Sequence, residues 1–295
     1  MSDQQAQVAV AAVESVEALP TVVERALRAM YDSRSGAHEL ADIVGLDLAL
    51  TGRLLRLVNS PYYRTLPRPV VSLTEAILRL GYRAVQSALL TTATTNLLRS
   101  ALLQYGLLRN QFWQHSIAVA FGAREIARRS RRGRGEEAYV VGLLHDIGKV
   151  GLSRQNVISF SEIQRRVREQ GMTYHEAEMA ELGFDHARVG ELVTIRWGLP
   201  RSTTVAVGAH HRPCTAPGAL AATVATADAM AWSMGFPGTG DQVPRQIDST
   251  ILARLGLTAA EVDRLAASLT SVVRDALGFL STESGLQTAS GGKLA

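Results

Sequence analysis

Histidines and aspartates recur in a fixed order along the middle of this 295-residue chain. Neutral imidazoles and carboxylates are together the usual ligands of divalent transition metals. Because the series runs from residue 115 to residue 228, its members can meet only if several chain segments fold around one centre. Five of the seven histidines belong to the series, whose members are His115, His145, Asp146, His186, His210, His211 and Asp228.

Helical patterns dominate the chain. Residues 22–30 and 38–58 place Leu, Val and Ile at three- and four-residue spacings, which gives each segment one apolar face. Ser72 is expected to cap a further helix, and Gly81 is expected to end it. No alternating strand pattern of useful length appears. The sequence therefore predicts an all-α fold.

Changes in composition divide the chain into five regions. Every candidate ligand falls in one of them, and a Gly/Pro-rich break follows that region at 235–240. The predicted regions are a flexible leader at 1–16, an N-terminal helical lobe at 17–106, a metal-binding lobe at 107–235, C-terminal helices at 236–280 and a disordered tail at 281–295.

Composition excludes several classes of protein. A hydrophobic content of 46% with 20% charged residues is typical of a folded globular chain. Polar residues interrupt the most apolar stretch, 88–108, which therefore predicts a buried helix and no membrane span. Cys214 is the one cysteine, so no internal disulfide can form. The N-terminus lacks the pattern of a secretory signal, and we expect a cytoplasmic protein.

The basic residues give a weaker indication of nucleic-acid binding. The net charge is +4, but arginine accounts for nearly all the cations, which is more typical of genomic base composition than of a selected surface. The densest run, 124–134, is expected to form a solvated helix end, with its cations near the negative end of the helix dipole. Nucleic acid is therefore not the expected partner.

The pair His145-Asp146 is the sharpest local signal. Residues 138–149 predict a helix, and adjacent side chains on a helix point about 100° apart. One metal could bind both residues only at a kinked turn, which Gly148 and Gly151 would permit. Alternatively, Asp146 could lie between two metals and bridge them. Both arrangements remain open at this point.

Candidate chemistry follows from the same residues. Divalent metals in such sites activate water for attack on phosphorus. Lys149 is the candidate that neutralises charge on a phosphoryl oxygen, beside Asp146 as the second catalytic candidate. Asp228 lies in the otherwise apolar segment 220–232, where a buried carboxylate needs a partner such as a metal. His38 and His175 are outside the series, and His175, near the acidic Glu176 and Glu178, is expected to be an ordinary helix-surface residue.

The chain resembles a known family. His115, His145, Asp146 and Asp228 look like the four ligands of the HD-domain metal-dependent phosphohydrolases. Further stretches resemble the narrower HDOD domain of bacterial signalling proteins over roughly 17–232, and together they are highly specific. They are Leu19-Pro20, 40–44 with Asp47, 54–60, 72–76 with Leu80-Gly81, 182–187, 197–200 and His210-His211.

The resemblance implies a two-lobed helical HDOD fold and a role in signalling. His186, His210 and His211 look like the second-metal positions of the related HD-GYP phosphodiesterases. On that analogy Asp146 is shared between two ions of Fe, Mn or Zn. No Gly-Tyr-Pro signature follows His211, which counts against recognition of cyclic di-GMP. Gln111 replaces a glutamate ligand of some members, which argues against a third metal.

Two functions from different classes follow from this resemblance. A phosphohydrolase acting on a nucleotide predicts an open cleft above the ligands, with Lys149 facing it. A non-catalytic module that binds a signalling partner predicts a closed site whose ligands are engaged with one another or with the backbone. The loop at 59–63 is a candidate contact surface for that partner; alternatively, its tyrosines pack at the lobe junction.

Overall fold

A computed structural model describes residues 3–32, 34–60, 63, 68–130, 134–239 and 247–281. The predicted all-α fold is confirmed, since these residues form helices and no strand. The fifteen helices are α1 Asp3–Ser15, α2 Thr21–Tyr31, α3 Ala37–Gly45, α4 Leu48–Val58, α5 Leu73–Leu98, α6 Gln111–Ser130, α7 Gly135–Leu144, α8 Gly148–Ser153, α9 Phe160–Gln170, α10 Tyr174–Leu182, α11 His186–Arg196, α12 Arg201–Gly208, α13 Leu220–Ser233, α14 Ser249–Leu255 and α15 Ala259–Ser281.

The first group of packed helices is α2–α5. Asp47 caps α4 by accepting a hydrogen bond from Leu50 N at 2.9 Å, and Ser72 caps α5 in the same way. Asn59 ends α4, and its side chain hydrogen-bonds both backbone groups of Val70, which joins the end of α4 to the residues that precede α5. Gly81 has φ +80° and kinks α5, but the helix continues to Leu98, so the predicted helix end is a break within one helix.

The second group contains α6–α8 and α11–α13, and it carries all the candidate ligands. Helices α6 and α7 approach closely because Gly142 has no side chain: a Cβ there would lie 2.9 Å from Ala120 Cα. Helix α8 begins beside α11 for a similar reason, since a Cβ on Gly148 would lie 2.0 Å from His186 O. One hydrophobic core extends through both groups.

The N-terminal segment differs from its predicted state as a flexible leader. The predicted flexible leader contains α1, in which Ala9 and Ala12 are buried, and Val16, directly after this helix, is buried too. A Cβ on Gly151 would lie 2.5 Å from Ala12 O, so small residues on both helices allow α1 to pack on α8. An alanine-rich polar sequence does not reveal such a face. Of the predicted tail at 281–295, only Ser281 lies within the described residues.

The apolar stretch 88–108 was predicted as one buried helix, and this prediction is partly wrong. Helix α5 ends at Leu98. A short 3₁₀ turn, Leu103–Tyr105, follows, and its last residue, Tyr105, is buried. None of the helices in the described ranges is both long enough and apolar enough to cross a membrane.

The close packing of α6 on α7 can be tested with one methyl group. We expect Gly142→Ala to lower the free energy of unfolding by about 1–3 kcal/mol, because the added Cβ overlaps α6 backbone. Gly52→Ala is the matched control within α4, where a Cβ would meet nothing within 4 Å. It should raise stability by up to about 1 kcal/mol. Urea unfolding measures both, and equal effects would contradict the packing argument.

Candidate metal centre

The seven candidate ligands come together as two groups. His115, His145 and Asp228 form the first group. The second contains Asp146 and three histidines, and within each group the ligand atoms lie within 4.8 Å of one another. Six of the seven residues are buried, and His211 is half-buried. The members of the second group are Asp146, His186, His210 and His211.

Helix ends and interiors bring these residues to one place. His115 lies in the second turn of α6 and Asp228 lies within α13. His145 and Asp146 lie in the break between α7 and α8. The sequence predicted a single helix over 138–149, so this break was not expected. His186 begins α11, and the His210-His211 pair follows the end of α12.

Backbone carbonyls fix the orientation of three histidines. The Nδ1 atoms of His115, His145 and His210 lie 2.7–2.9 Å from the carbonyl oxygens of Phe236, Gly142 and Val207 respectively. Because a carbonyl oxygen only accepts, each Nδ1 carries the proton. Each Nε2 atom therefore directs a lone pair into the centre, which is how metal-binding histidines are held.

The Nε2 atoms of the histidines approach one another in pairs. Nε2 of His115 lies 3.3 Å from Nε2 of His145, and Nε2 of His186 lies 2.8 Å from Nε2 of His211. Asp146 Oδ1 and His210 Nε2 are buried and have no hydrogen-bond partner within the described part of the chain. Buried acceptors that converge without donors are unfavourable unless a cation compensates them. The residues therefore fit divalent metal ions.

Asp146 lies between the two groups. Its Oδ2 atom is 3.3 Å from His145 Nε2, while its Oδ1 atom is 3.0 Å from His186 Nε2. The second contact is short but lacks hydrogen-bond geometry, so we treat it as an electrostatic contact. One oxygen therefore faces each group, and the turn between α7 and α8 allows this placement.

Charges in the centre are strongly coupled. Burial raises the pKa of Asp146, but His145 and Lys149 outweigh it and hold that pKa well below its usual range. Burial lowers the pKa of His186, yet the Glu178 carboxylate brings it to about 9. Burial also lowers the pKa of His210. The pKa is therefore raised in His186, which contacts the Glu178 carboxylate, and lowered in His210, where burial dominates.

Lys149 does not face an open cleft. Its Nζ atom is buried, donating to Asp146 Oδ2 at 2.5 Å and to Gly238 O at 3.2 Å. Residues 236–239, which we call the covering segment, belong to the predicted Gly/Pro-rich break. They lie against the centre through Phe236 O and Gly238 O. A Cβ on Gly238 would lie 2.6 Å from His115 Nε2. The described centre is therefore enclosed.

Sequence reasoning missed two residues beside the centre. Glu178 is buried and accepts hydrogen bonds from both His186 Nδ1 and His186 N at 2.7 Å. Tyr105 donates to Glu178 Oε1 at 2.6 Å, and burial, followed by the Glu178 charge, raises the tyrosine pKa well above 10. Nothing distinguishes Glu178 from the other acidic residues of 176–181 in the sequence. Its long-range partners decide its role.

His175 also differs from its predicted role as an ordinary surface residue. Its ring stacks on His211, with centroids 4.1 Å apart and an angle of 9° between the ring planes. The stack holds the one half-buried histidine of the centre. His38, which also lies outside the series, is exposed.

The arginine run is partly structural. Arg124 is buried, pairs with Glu136 at 2.7 Å and lies over the Tyr139 ring at 4.0 Å. In the predicted contact loop, Pro61 and Tyr62 lie outside the described residues. Tyr63 is buried and accepts a hydrogen bond from Arg124, so it packs between the helix groups.

Comparison with known proteins identifies the family. The HDOD domain model matches residues 16–213, and the chain belongs to this family. An HDOD domain protein of unknown function from Geobacter sulfurreducens is 28% identical, with TM-score 0.71 over 94% of this chain and 97% of that one. A candidate phosphohydrolase from Shewanella amazonensis shares the fold at 21% identity, with TM-score 0.72 over 92% and 98% of the two chains.

A curated relative is considerably longer than this chain. The uncharacterized protein from Treponema pallidum (strain Nichols) is 26% identical over 258 residues, which cover 83% of this chain and 48% of the relative. The chain thus spans about half the length of this curated relative.

The Tyr105–Glu178 contact gives a test of the surroundings of the centre. We expect Tyr105→Phe to lower the free energy of unfolding by about 1–3 kcal/mol, because it leaves a buried carboxylate oxygen without its donor. The control is Tyr82→Phe, whose hydroxyl binds Ser35 O at a partly exposed position. Tyr82→Phe should lower the free energy of unfolding by less than Tyr105→Phe does, as measured by urea unfolding. The opposite order would contradict the role of Tyr105 as the donor to Glu178.

Proposed function

We propose that this chain is a bacterial HDOD signalling protein that holds two divalent ions, of Fe, Mn or Zn, in an enclosed centre. One ion would bind His115, His145, Asp146 and Asp228. The other would bind Asp146, His186, His210 and His211. In this proposal the centre orders the helices that present a surface to a signalling partner, and it is not primarily a site of turnover.

The observation that carries the proposal is the orientation of the imidazoles around Asp146. Four Nε2 atoms oppose one another in pairs at 3.3 and 2.8 Å, and each Asp146 oxygen faces a different group. Hydrogen bonds at Nδ1 hold this orientation from outside. Burial and the covering segment support the regulatory interpretation, because a substrate would have to displace them.

The protein's own residues do most of what this role needs. Lys149 balances the Asp146 charge, Glu178 orients His186, and the covering segment excludes water. A bound pair of divalent ions would supply positive charge to the converging lone pairs and could also activate water.

Metal content tests this proposal. Protein purified without chelators should contain about two equivalents of Fe, Mn or Zn. His115→Ala should lower the content to about one equivalent, because it affects one group only. Asp146→Ala should remove both, because Asp146 is shared. Elemental analysis of each variant provides the measurement.

The matched control is His38→Ala, which removes an exposed histidine outside both groups. Its metal content should equal that of the unmodified protein. Absence of metal after anaerobic reconstitution with each of the three ions would overturn the proposal. Equal losses in His38→Ala and His115→Ala would also overturn it.

Phosphoester hydrolysis is the second candidate function. The specific observation that favours it is the division of the ligands into two groups on either side of one carboxylate, an arrangement suited to two-metal phosphoryl chemistry. The fold shared with the Shewanella amazonensis candidate phosphohydrolase is compatible with it. The buried Lys149 and the covering segment count against an accessible substrate site.

Turnover separates the two functions. We expect the metal-loaded protein to hydrolyse bis(p-nitrophenyl) phosphate and linear or cyclic nucleotides no faster than the Asp146→Ala variant, because the centre is enclosed. Release of p-nitrophenol and chromatography of the nucleotides measure the rates. Hydrolysis that requires Asp146 and follows metal content would contradict the regulatory interpretation and establish the enzyme.

A further inference from the structure

A pocket of about 670 Å³ lies away from the candidate metal centre. None of the seven candidate ligands lines it. It is formed where α7, α12 and α13 begin, and its volume is within the range of small-molecule sites, about 300–1,000 Å³. The same three helices lead to, or contain, five of the seven candidate ligands. The pocket therefore lies at the opposite end of the elements that build the centre.

The pocket walls are predominantly apolar. Val205 and Ala206 line it from one side, and Leu220 lines it from another. Ala206 is buried, whereas Val205 and Leu220 are half-buried and therefore available to a flat ring between them. Such walls favour a ligand with an apolar, planar body.

Positive charge is concentrated at the rim. Arg134 and Arg201 both line the pocket and are exposed, and neither guanidinium forms an ion pair with another residue that the structure describes. Glu137 also lines the pocket, but its carboxylate accepts a hydrogen bond from the Ser202 hydroxyl at 2.5 Å. The Ser202 hydroxyl does not neutralise Glu137, so the lining carries two guanidinium cations and one carboxylate. The resulting net positive charge favours a ligand that carries a phosphate or carboxylate.

Helix termini add to this preference without carrying it alone. The residues before α7, α12 and α13 are Arg134, Pro200 and Ala219, and none of their side chains caps its helix. Helices α12 and α13 also have no acidic residue in the first turn, so the positive ends of their dipoles remain uncompensated at the pocket, whereas Glu136 and Glu137 offset that of α7. Because the Ser202 hydroxyl donates its proton to Glu137, the hydroxyl oxygen and the carboxylate both act as acceptors for N–H groups at the polar edge of a ring.

We propose that this pocket binds a nucleoside monophosphate, with its base between Val205 and Leu220 and its phosphate at Arg134 and Arg201. The base supplies the planar apolar body and the polar edge, and the phosphate supplies the anion. As a binding site, the pocket does not depend on the metal centre. As an effector site acting through α7, α12 and α13, it rests on the proposed function.

Calorimetric titration of the full chain with AMP, GMP, CMP and UMP tests this assignment. At least one should bind, and the matching nucleoside and inorganic phosphate should each bind at least about tenfold more weakly, because each lacks one half of the recognised ligand. Arg134→Gln and Arg201→Gln should each weaken binding by at least about tenfold, since each removes one charge-assisted contact to the phosphate.

Two further variants make the result specific. Val205→Trp should abolish binding by filling the apolar wall, provided that its circular dichroism matches the unmodified protein. Arg128→Gln removes an equally exposed arginine outside the pocket, and its binding should be unchanged. Binding should also survive in His145→Ala/Asp146→Ala, which separates this proposal from failure of the metal centre.

The assignment is overturned if none of the four nucleotides binds at millimolar concentration. It is also overturned if Arg134→Gln, Arg201→Gln and folded Val205→Trp bind as the unmodified protein does. Loss of binding in His145→Ala/Asp146→Ala, with the pocket variants unaffected, would place the nucleotide at the metal centre and exclude the pocket.

Discussion

A single buried carboxylate, that of Asp146, determines how the second half of this protein is arranged. It lies close to the imidazoles of His145, His186 and His210, which come from three segments of the chain. The ammonium group of Lys149 balances its negative charge. A buried carboxylate is tolerated only with such partners. The break between α7 and α8, the close approach permitted by Gly148 and the placement of the covering segment all serve to bring those partners within reach.

The sequence predicted the all-α fold because apolar periodicity, caps and breaks act locally. Ser72 caps α5 as expected for that reason, and Gly81 marks a kink where the sequence predicted a helix end. The order of histidines and aspartates indicated which residues meet, but it could not indicate how they are oriented. Orientation depends on the carbonyl of Phe236 and the carboxylate of Glu178, which are distant in sequence and ordinary in composition.

The leader and Lys149 show two further limits of sequence reasoning. Helix α1 packs against Gly151 through small residues such as alanine. Because alanine gives only a weak hydrophobic pattern, the sequence of this helix resembles that of a polar tail. Lys149 lies one turn beyond the His145-Asp146 pair, as a catalytic cation would. Its direction is set by Gly238, in a segment whose glycine and proline content predicted only a connection between helices.

Anomalous X-ray scattering from a crystal of the metal-loaded protein would test the central claim most directly. The account predicts two peaks on either side of Asp146, about 3.5–4 Å apart, with the covering segment still over them. A crystal with no peak near Asp146, despite metal in the solution, would contradict the account. A single peak that leaves either His115 or His186 without a metal contact would contradict the shared role of Asp146.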